Sequence, residues 1–259
     1  MSSTKLQVRG LKIDPPLLLA PMAGVTHSAL RTVIMGYGGV GLLSTEMLAA
    51  RTLPTENPYV SPWLVRTADE RPLCYQLLVD CPEVVMPAME ALHRFGADAV
   101  DLNLGCPAPR VRKAGGGSLL MDRQDTVCRI IRAARKMTEL PLSAKIRLGD
   151  SLDEQKLRDF CQMLEGEGID MLTVHARLRG EGFNRKPRWE WVGHVKQWVT
   201  IPVIANGSVC SSGDAEACLR ASGADGLMIG RAAAEKPWIF NSIAREVYGC
   251  LLYTSPSPR

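Results

Sequence analysis

Along this chain, short apolar runs alternate with stretches in which apolar residues recur every three or four positions. Eight runs have strand character, at residues 17–22, 41–47, 74–79, 99–105, 142–149, 171–177, 202–208 and 226–232. Most are near-continuous rather than strictly alternating, the pattern of parallel strands covered on both faces. Helical periodicity marks 28–35, 82–95, 125–137, 153–167, 214–221 and 237–247, with Asp153 and Asp214 suited to helix starts and Gly96, Gly168 and Gly223 to stops. The segment 51–72 holds four prolines and little periodicity, so its helix is expected to be short or replaced by a loop. Strand centres recur every ~25 to 45 residues, which fits the repeating unit of an eightfold barrel better than a doubly wound sheet. The expected fold class is α/β, a single (β/α)8 TIM barrel.

Composition adds little beyond size and compartment. With 259 residues and 46% hydrophobic content the chain can bury a sizeable core, and a net charge of +4 permits an anionic partner without demanding one. No signal peptide and no apolar run of ~18 residues is visible, so a soluble, cytoplasmic protein with no membrane contact is expected. The eight cysteines lie far apart with no C-x-x-C pair, which disfavours both zinc and a disulfide framework; no metal is expected. The last ten residues, from Cys250, break from the preceding pattern and resemble a translated sequencing adapter, so the natural domain is taken as 1–249 and 250–259 as an artefact tail.

Barrel enzymes carry their sites at the carboxyl ends of the strands, and here nearly every run ends in a polar or backbone-exposing group. In order these are Pro21-Met22-Ala23-Gly24, Glu46, Gln76, Asn103-Leu104-Gly105-Cys106-Pro107, Lys145 and Arg147, His175 and Arg177, Asn206-Gly207-Ser208, and Gly230-Arg231. Cys106 sits where a buried strand turns out of the sheet, a place where a thiol either faces a pocket or is inert packing. Lys145 lies inside an apolar strand and needs a negative partner, either a bound anion or a neighbouring acid such as Asp101. Arg147, two residues on, points to the same side. Gln76 offers both a donor and an acceptor.

Taken together, Leu19-Ala20-Pro21-Met22-Ala23-Gly24-Val25-Thr26, Leu102-Asn103-Leu104-Gly105-Cys106-Pro107, Lys145-Ile146-Arg147-Leu148-Gly149, Ile204-Ala205-Asn206-Gly207 and Met228-Ile229-Gly230-Arg231 resemble the tRNA-dihydrouridine synthases, over about residues 17–245. The resemblance implies an FMN enzyme that reduces uridine in tRNA, with NADPH as reductant and no protein partner. It implies that Cys106 is the proton donor, since an ordinary thiol has a pKa of about 8.5 and stays mostly protonated at neutral pH. It implies cofactor contacts from Pro21, Met22, Ala23, Gln76, Lys145 and His175, and a phosphate held by Asn206, Gly207, Ser208, Gly230 and Arg231. Asn103, Arg147, Arg177 and Glu46 are the implied substrate contacts. Arg110, Arg112 and Lys113, with Arg177, Arg179, Arg185, Lys186 and Arg188, are expected to form a basic rim for RNA.

His27 and Ser208 stand where that family commonly has acids, and the family's carboxy-terminal helical domain is expected to be missing through truncation. Three other readings remain open from the residues. They are a flavin barrel acting on a free pyrimidine or an enone, a flavin-free lyase or aldolase using Lys145 as a Schiff base, and a fragment that binds RNA or folds poorly and turns nothing over.

Overall fold

The computed structural model describes residues 6–250. A short antiparallel hairpin comes first, β1 (Leu6–Val8) and β2 (Leu11–Ile13), turning at Arg9-Gly10 with φ of 42° and 82°. Eight parallel strands follow: β3 (Leu17–Leu19), β4 (Leu43–Ala49), β5 (Leu73–Leu78), β6 (Ala99–Asn103), β7 (Leu142–Arg147), β8 (Met171–His175), β9 (Val203–Asn206) and β10 (Gly226–Ile229). The helices are α1 (Ser28–Tyr37), α2 (Val85–Arg94), α3 (Pro109–Lys113), α4 (Gln124–Met137), α5 (Glu154–Gly166), α6 (Trp189–Trp198), α7 (Ser212–Ser222), α8 (Arg231–Glu235) and α9 (Ile239–Glu246). Strands pair in sequence order from β4 to β10, and β10 pairs with β3. The ring closes between β3 and the start of β4, where Leu19 N–H donates to Leu42 O at 2.9 Å and Gly41 N–H to Leu17 O at 2.8 Å. The fold is the single (β/α)8 TIM barrel that the pattern predicts.

Side chains alternate across each strand, and the two faces meet different surroundings. Leu17 and Leu19, Leu73, Tyr75 and Leu77, and Val100 and Leu102 join the large core between sheet and helices. The inward positions change along the barrel axis. At the amino-terminal end Leu18, Leu42, Cys74, Ala99, Met171, Ile204 and Met228 pack with Leu6, Val8 and Ile13 of the hairpin, which closes the barrel floor. Above that floor the same inward rows carry Gln76, Asp101, Asn103, Ser143, Lys145, Thr173 and His175. Polar side chains in mid-barrel are stable only when paired, so this layer needs internal hydrogen bonds.

Several boundaries differ from the sequence reading. The runs extending to residues 22, 105, 149, 177, 208 and 232 leave the sheet two to three residues early, because their last residues form the turns that build the site. Helix α6 is absent from the sequence expectation. Its buried Val192 and Val195 and its tryptophans follow a basic loop that masks the start of the periodicity. Segment 51–72 contains only a short 3₁₀ turn at Leu53–Thr55, as its prolines suggested. Asp153 caps α5 through Lys156 N–H at 3.0 Å, whereas α7 is capped not by Asp214 but by Ser211, whose hydroxyl accepts from Asp214 N–H at 3.1 Å. Among the described residues no helix is long and apolar enough to cross a membrane, and no cluster of candidate metal ligands occurs. The expected tail, apart from Cys250, lies outside the described residues.

Candidate active site

The carboxyl ends of the strands surround a cavity of about 370 Å³, within the range of about 300–1,000 Å³ typical of small-molecule sites. Its lining brings together Pro21, Met22, Ala23, Gln76, Asn103, Cys106, Lys145, Arg147, His175, Arg177, Asn206, Gly207, Ser208, Gly230 and Arg231 from seven of the eight strand ends. Of the implied proton donor, cofactor contacts and substrate contacts, only Glu46 does not line it. The Glu46 carboxylate accepts from the Gly24 N–H and so braces the loop after β3, which is why it is buried away from the opening. Val25, Met47, Pro107 and Phe183 also contribute, residues to which the sequence assigns no role.

Cys106 follows β6 in a loop held by its neighbours. Its N–H donates to Asn103 Oδ1 at 2.9 Å, and its carbonyl accepts from Ser118 N–H at 2.9 Å. Gly117 supports the same loop from beneath: with φ of 61°, a Cβ there would lie 2.6 Å from Cys106 O. Among the other cysteines, Cys74, Cys161 and Cys218 are buried, and burial raises their thiol pKa values, that of Cys218 to about 12. They are core filler, whereas Cys106 faces the cavity.

Lys145 donates to Asn206 Oδ1 at 3.0 Å, and Asn206 is oriented by its own bond to Met228 O at 2.8 Å. An ammonium has three donors, so this arrangement leaves capacity for an acceptor in the cavity. Burial lowers the Lys145 pKa to about 8 despite the charge of Asp101. His175 is pushed to about 2, first by burial and then by Lys145, Arg147, Arg177 and Arg231. Its Nε2 accepts from Arg177 Nη1 at 3.1 Å, so the ring is neutral and carries its proton on Nδ1. Phe183 stacks on His175 with centroids 6.1 Å apart, and the Arg231 guanidinium lies 4.2 Å over the Phe183 ring.

Two arginines are already committed to the scaffold. Arg177 donates to the carbonyls of Arg185 and Phe183 and to Ser208 Oγ, so it clamps the loop after β8 onto the turn after β9. Arg147 donates to Leu178 O at 2.7 Å and Glu181 O at 3.2 Å. Gln76 and Asn103 also spend much of their capacity on each other, with Asn103 Nδ2 donating to Gln76 Oε1 at 2.8 Å. The expected basic rim is likewise reduced. Arg179 pairs with Asp122 and Asp150, and Arg188 pairs with Glu181, while Arg110, Arg112, Lys113, Arg185 and Lys186 stay exposed. Charge runs in sequence do not reveal such internal pairing.

The lining therefore combines a thiol, three amides, a neutral histidine and four basic side chains, and it contains no carboxylate. Such a cavity suits an anionic or phosphate-bearing ligand. A family model described as dihydrouridine synthase matches residues 18–252. The chain belongs to the dihydrouridine synthase family. Among curated members, it is 36% identical over 247 residues to a probable tRNA-dihydrouridine synthase 1 of Synechocystis sp., covering 92% of this chain and 67% of that one. It is 34% identical over 239 residues to a probable tRNA-dihydrouridine synthase of Rickettsia bellii, covering 92% and 73%. The family assignment makes the chain an enzyme and agrees with the strand-end motifs that carried the resemblance.

Solved structures show the same barrel at low identity. A 2-naphthoyl-CoA reductase complex superposes with a TM-score of 0.68 at 12% identity, over 93% of this chain and 51% of that one. DHODH from Eimeria tenella gives 0.66 at 14% identity, over 95% and 83%. At this distance the likeness is one of fold alone.

Proposed function

We propose that this dihydrouridine synthase reduces uridine to 5,6-dihydrouridine in tRNA, with FMN as the bound hydride carrier and NADPH as its reductant. The observation that carries the reading is the carboxylate-free cavity in which the Cys106 thiol and the Lys145 ammonium share one lining. The names of the curated relatives supply the tRNA substrate. The residues fit FMN. Lys145 has unspent donors for an electron-rich ring edge, and Arg231, with the backbone at Gly207, Ser208 and Gly230, suits a phosphate. Pro21, Met22 and Ala23 offer an apolar wall, and Gln76 and Asn103 each keep one amide proton beyond their mutual bond and their other contacts.

Bound flavin supplies the hydride that this protein lacks. The chain does the rest. Cys106 holds a proton and delivers it to one carbon of the uracil C5=C6 bond as the hydride reaches the other, leaving a thiolate that regains its proton from solvent. Asn103 holds the Cys106 loop, and neutral His175 presents Nδ1–H as a donor rather than a charge. Exposed Arg110, Arg112 and Lys113, directly after the Cys106 loop, with Arg185 and Lys186, meet the RNA backbone.

Purified protein loaded with FMN should be yellow, bleach with NADPH under anaerobic conditions, and regain colour on adding unmodified tRNA. The recovery should slow as salt rises, in keeping with phosphate contacts. Recovery with free uridine as effective as with tRNA would favour a free-pyrimidine reductase instead. A colourless protein trapped by borohydride with a carbonyl substrate would favour Schiff-base chemistry at Lys145.

A further inference from the structure

Beneath the cavity runs a chain of hydrogen bonds that all point one way. Gly105 and Cys106 N–H donate to Asn103 Oδ1 at 3.3 and 2.9 Å, and Asn103 Nδ2 donates to Gln76 Oε1 at 2.8 Å. Gln76 Nε2 then donates to Asp101 Oδ2 at 2.6 Å, and Ser143 Oγ donates to Asp101 Oδ1 at 2.6 Å. Asp101 is buried and does not line the cavity. The two ends of an amide side chain have nearly the same shape, so packing does not decide which way Gln76 and Asn103 face. The termini of the chain decide it. A backbone N–H only donates, and an ionised carboxylate only accepts, so the sole arrangement that satisfies both is the one present.

We propose that Asp101 is a positioning residue whose carboxylate fixes the facing of the Gln76 and Asn103 amides and, through them, holds the loop that carries Cys106. The proposal rests on the reading of Cys106 as proton donor for its catalytic consequence, though not for its geometry. Burial raises the Asp101 pKa, while the bonds from Gln76 and Ser143 and the charge of Lys145 favour the ionised form. Without the carboxylate, Gln76 Nε2 loses its acceptor and only the bond from Asn103 still favours the present facing, whereas a turned Gln76 would set its donors against those of Asn103. A turned Asn103 would in turn set its donors against the N–H groups of Gly105 and Cys106, leaving them without partners.

The test is amide hydrogen exchange of the peptide containing Gly105 and Cys106, read by mass spectrometry on FMN-loaded and flavin-free protein. In Asp101→Ala the exchange should quicken about tenfold. Gln76→Met, which keeps the volume but cuts the chain one link later, should do the same and serves if Asp101→Ala does not fold. Asp101→Asn should restore slow exchange. Its oxygen can still face Gln76 while its NH2 meets Ser143 Oγ, and the Ser143 hydroxyl can turn to Val100 O, already 3.4 Å away. Peptides from α4 should be unchanged throughout, marking the effect as local. In turnover, Asp101→Ala should lower kcat about tenfold with KM for tRNA within about twofold, and Asp101→Asn should recover it. Parent-like exchange in both Asp101→Ala and Gln76→Met overturns the proposal, as does Asp101→Asn exchanging as fast as Asp101→Ala. A parent enzyme that makes no dihydrouridine overturns the functional reading instead, and the exchange result then stands alone.

Discussion

Lys145 is the residue whose placement costs the flavin-free protein most visibly. Its pKa falls from the usual 10.5 to about 8, chiefly through burial. Below pH 8 it is protonated in both folded and unfolded chains, and folding carries the whole penalty. Between pH 8 and 10.5 the unfolded chain holds a proton that the folded one has released, so stability attributable to this group rises with pH across that window. Lys145→Met should therefore stabilise the flavin-free protein at pH 7 by about 1–2 kcal/mol, a gain of a few degrees in melting temperature, with the advantage shrinking by pH 10. Equal melting of variant and parent at pH 7 would show that no penalty exists. A cation kept at this cost in a cavity without carboxylates is consistent with an anionic ligand. Lys145 was legible in the sequence because a lysine inside an apolar strand demands an explanation. The duties of Arg147 and Arg177 were not, since residue identity gives hydrogen-bonding capacity but not which carbonyls of a folded loop consume it.

At the scale of elements, the site depends on loops held at both ends. Helix α1 and segment 51–72 are joined by a fully buried pair, Arg31 Nε to Glu70 Oε2 at 2.5 Å, and Glu70 also accepts from the Ser28 hydroxyl. Arg31 reaches on to Thr26 O at 2.7 Å and Val65 O at 2.9 Å, tying the loop after β3 to the segment after β4. Helix α1 itself starts poorly. His27 occupies the N-cap position with φ of −74° and ψ of 171° but makes no capping bond, and the first turn contains no acid. His27→Asp should supply a capping acceptor and a negative charge at the helix start, raising stability by about 1 kcal/mol in thermal or urea unfolding; no gain would mean that the first-turn amides are already satisfied. This is one of the two positions where the resemblance leads one to expect an acid, and the missing cap bears on local stability. At the other, Ser208 has φ of 52° and receives Arg177 Nη2 at 2.7 Å, so a hydroxyl fills the acceptor role there. Helices with clean periodicity, such as α4 and α5, were legible to within a residue or two. Helix α6 and the hairpin were not, because the one follows a charged loop and the strands of the other are only three residues long.

Across the whole molecule, one alternation along eight strands makes both the core and the chemistry. Outward positions build the helix-facing core, and inward positions grade from an apolar floor to a polar layer and then to the cavity. The barrel was legible from the recurrence of strands, and the lining of the candidate cavity from the residues that end them. The internal bonding of the polar layer was hidden, because Asp101, Gln76 and Asn103 are adjacent only once β5 and β6 pair in register. On the proposed function, this layer aims the Cys106 thiol as an acid into a cavity that holds flavin. The most telling test is the ratio of dihydrouridine formed to NADPH consumed by Cys106→Ala loaded with FMN and given unmodified tRNA. Flavin content and anaerobic bleaching by NADPH should match the parent's, with dihydrouridine formation reduced at least a hundredfold. Parent-level dihydrouridine formation by the variant would contradict it.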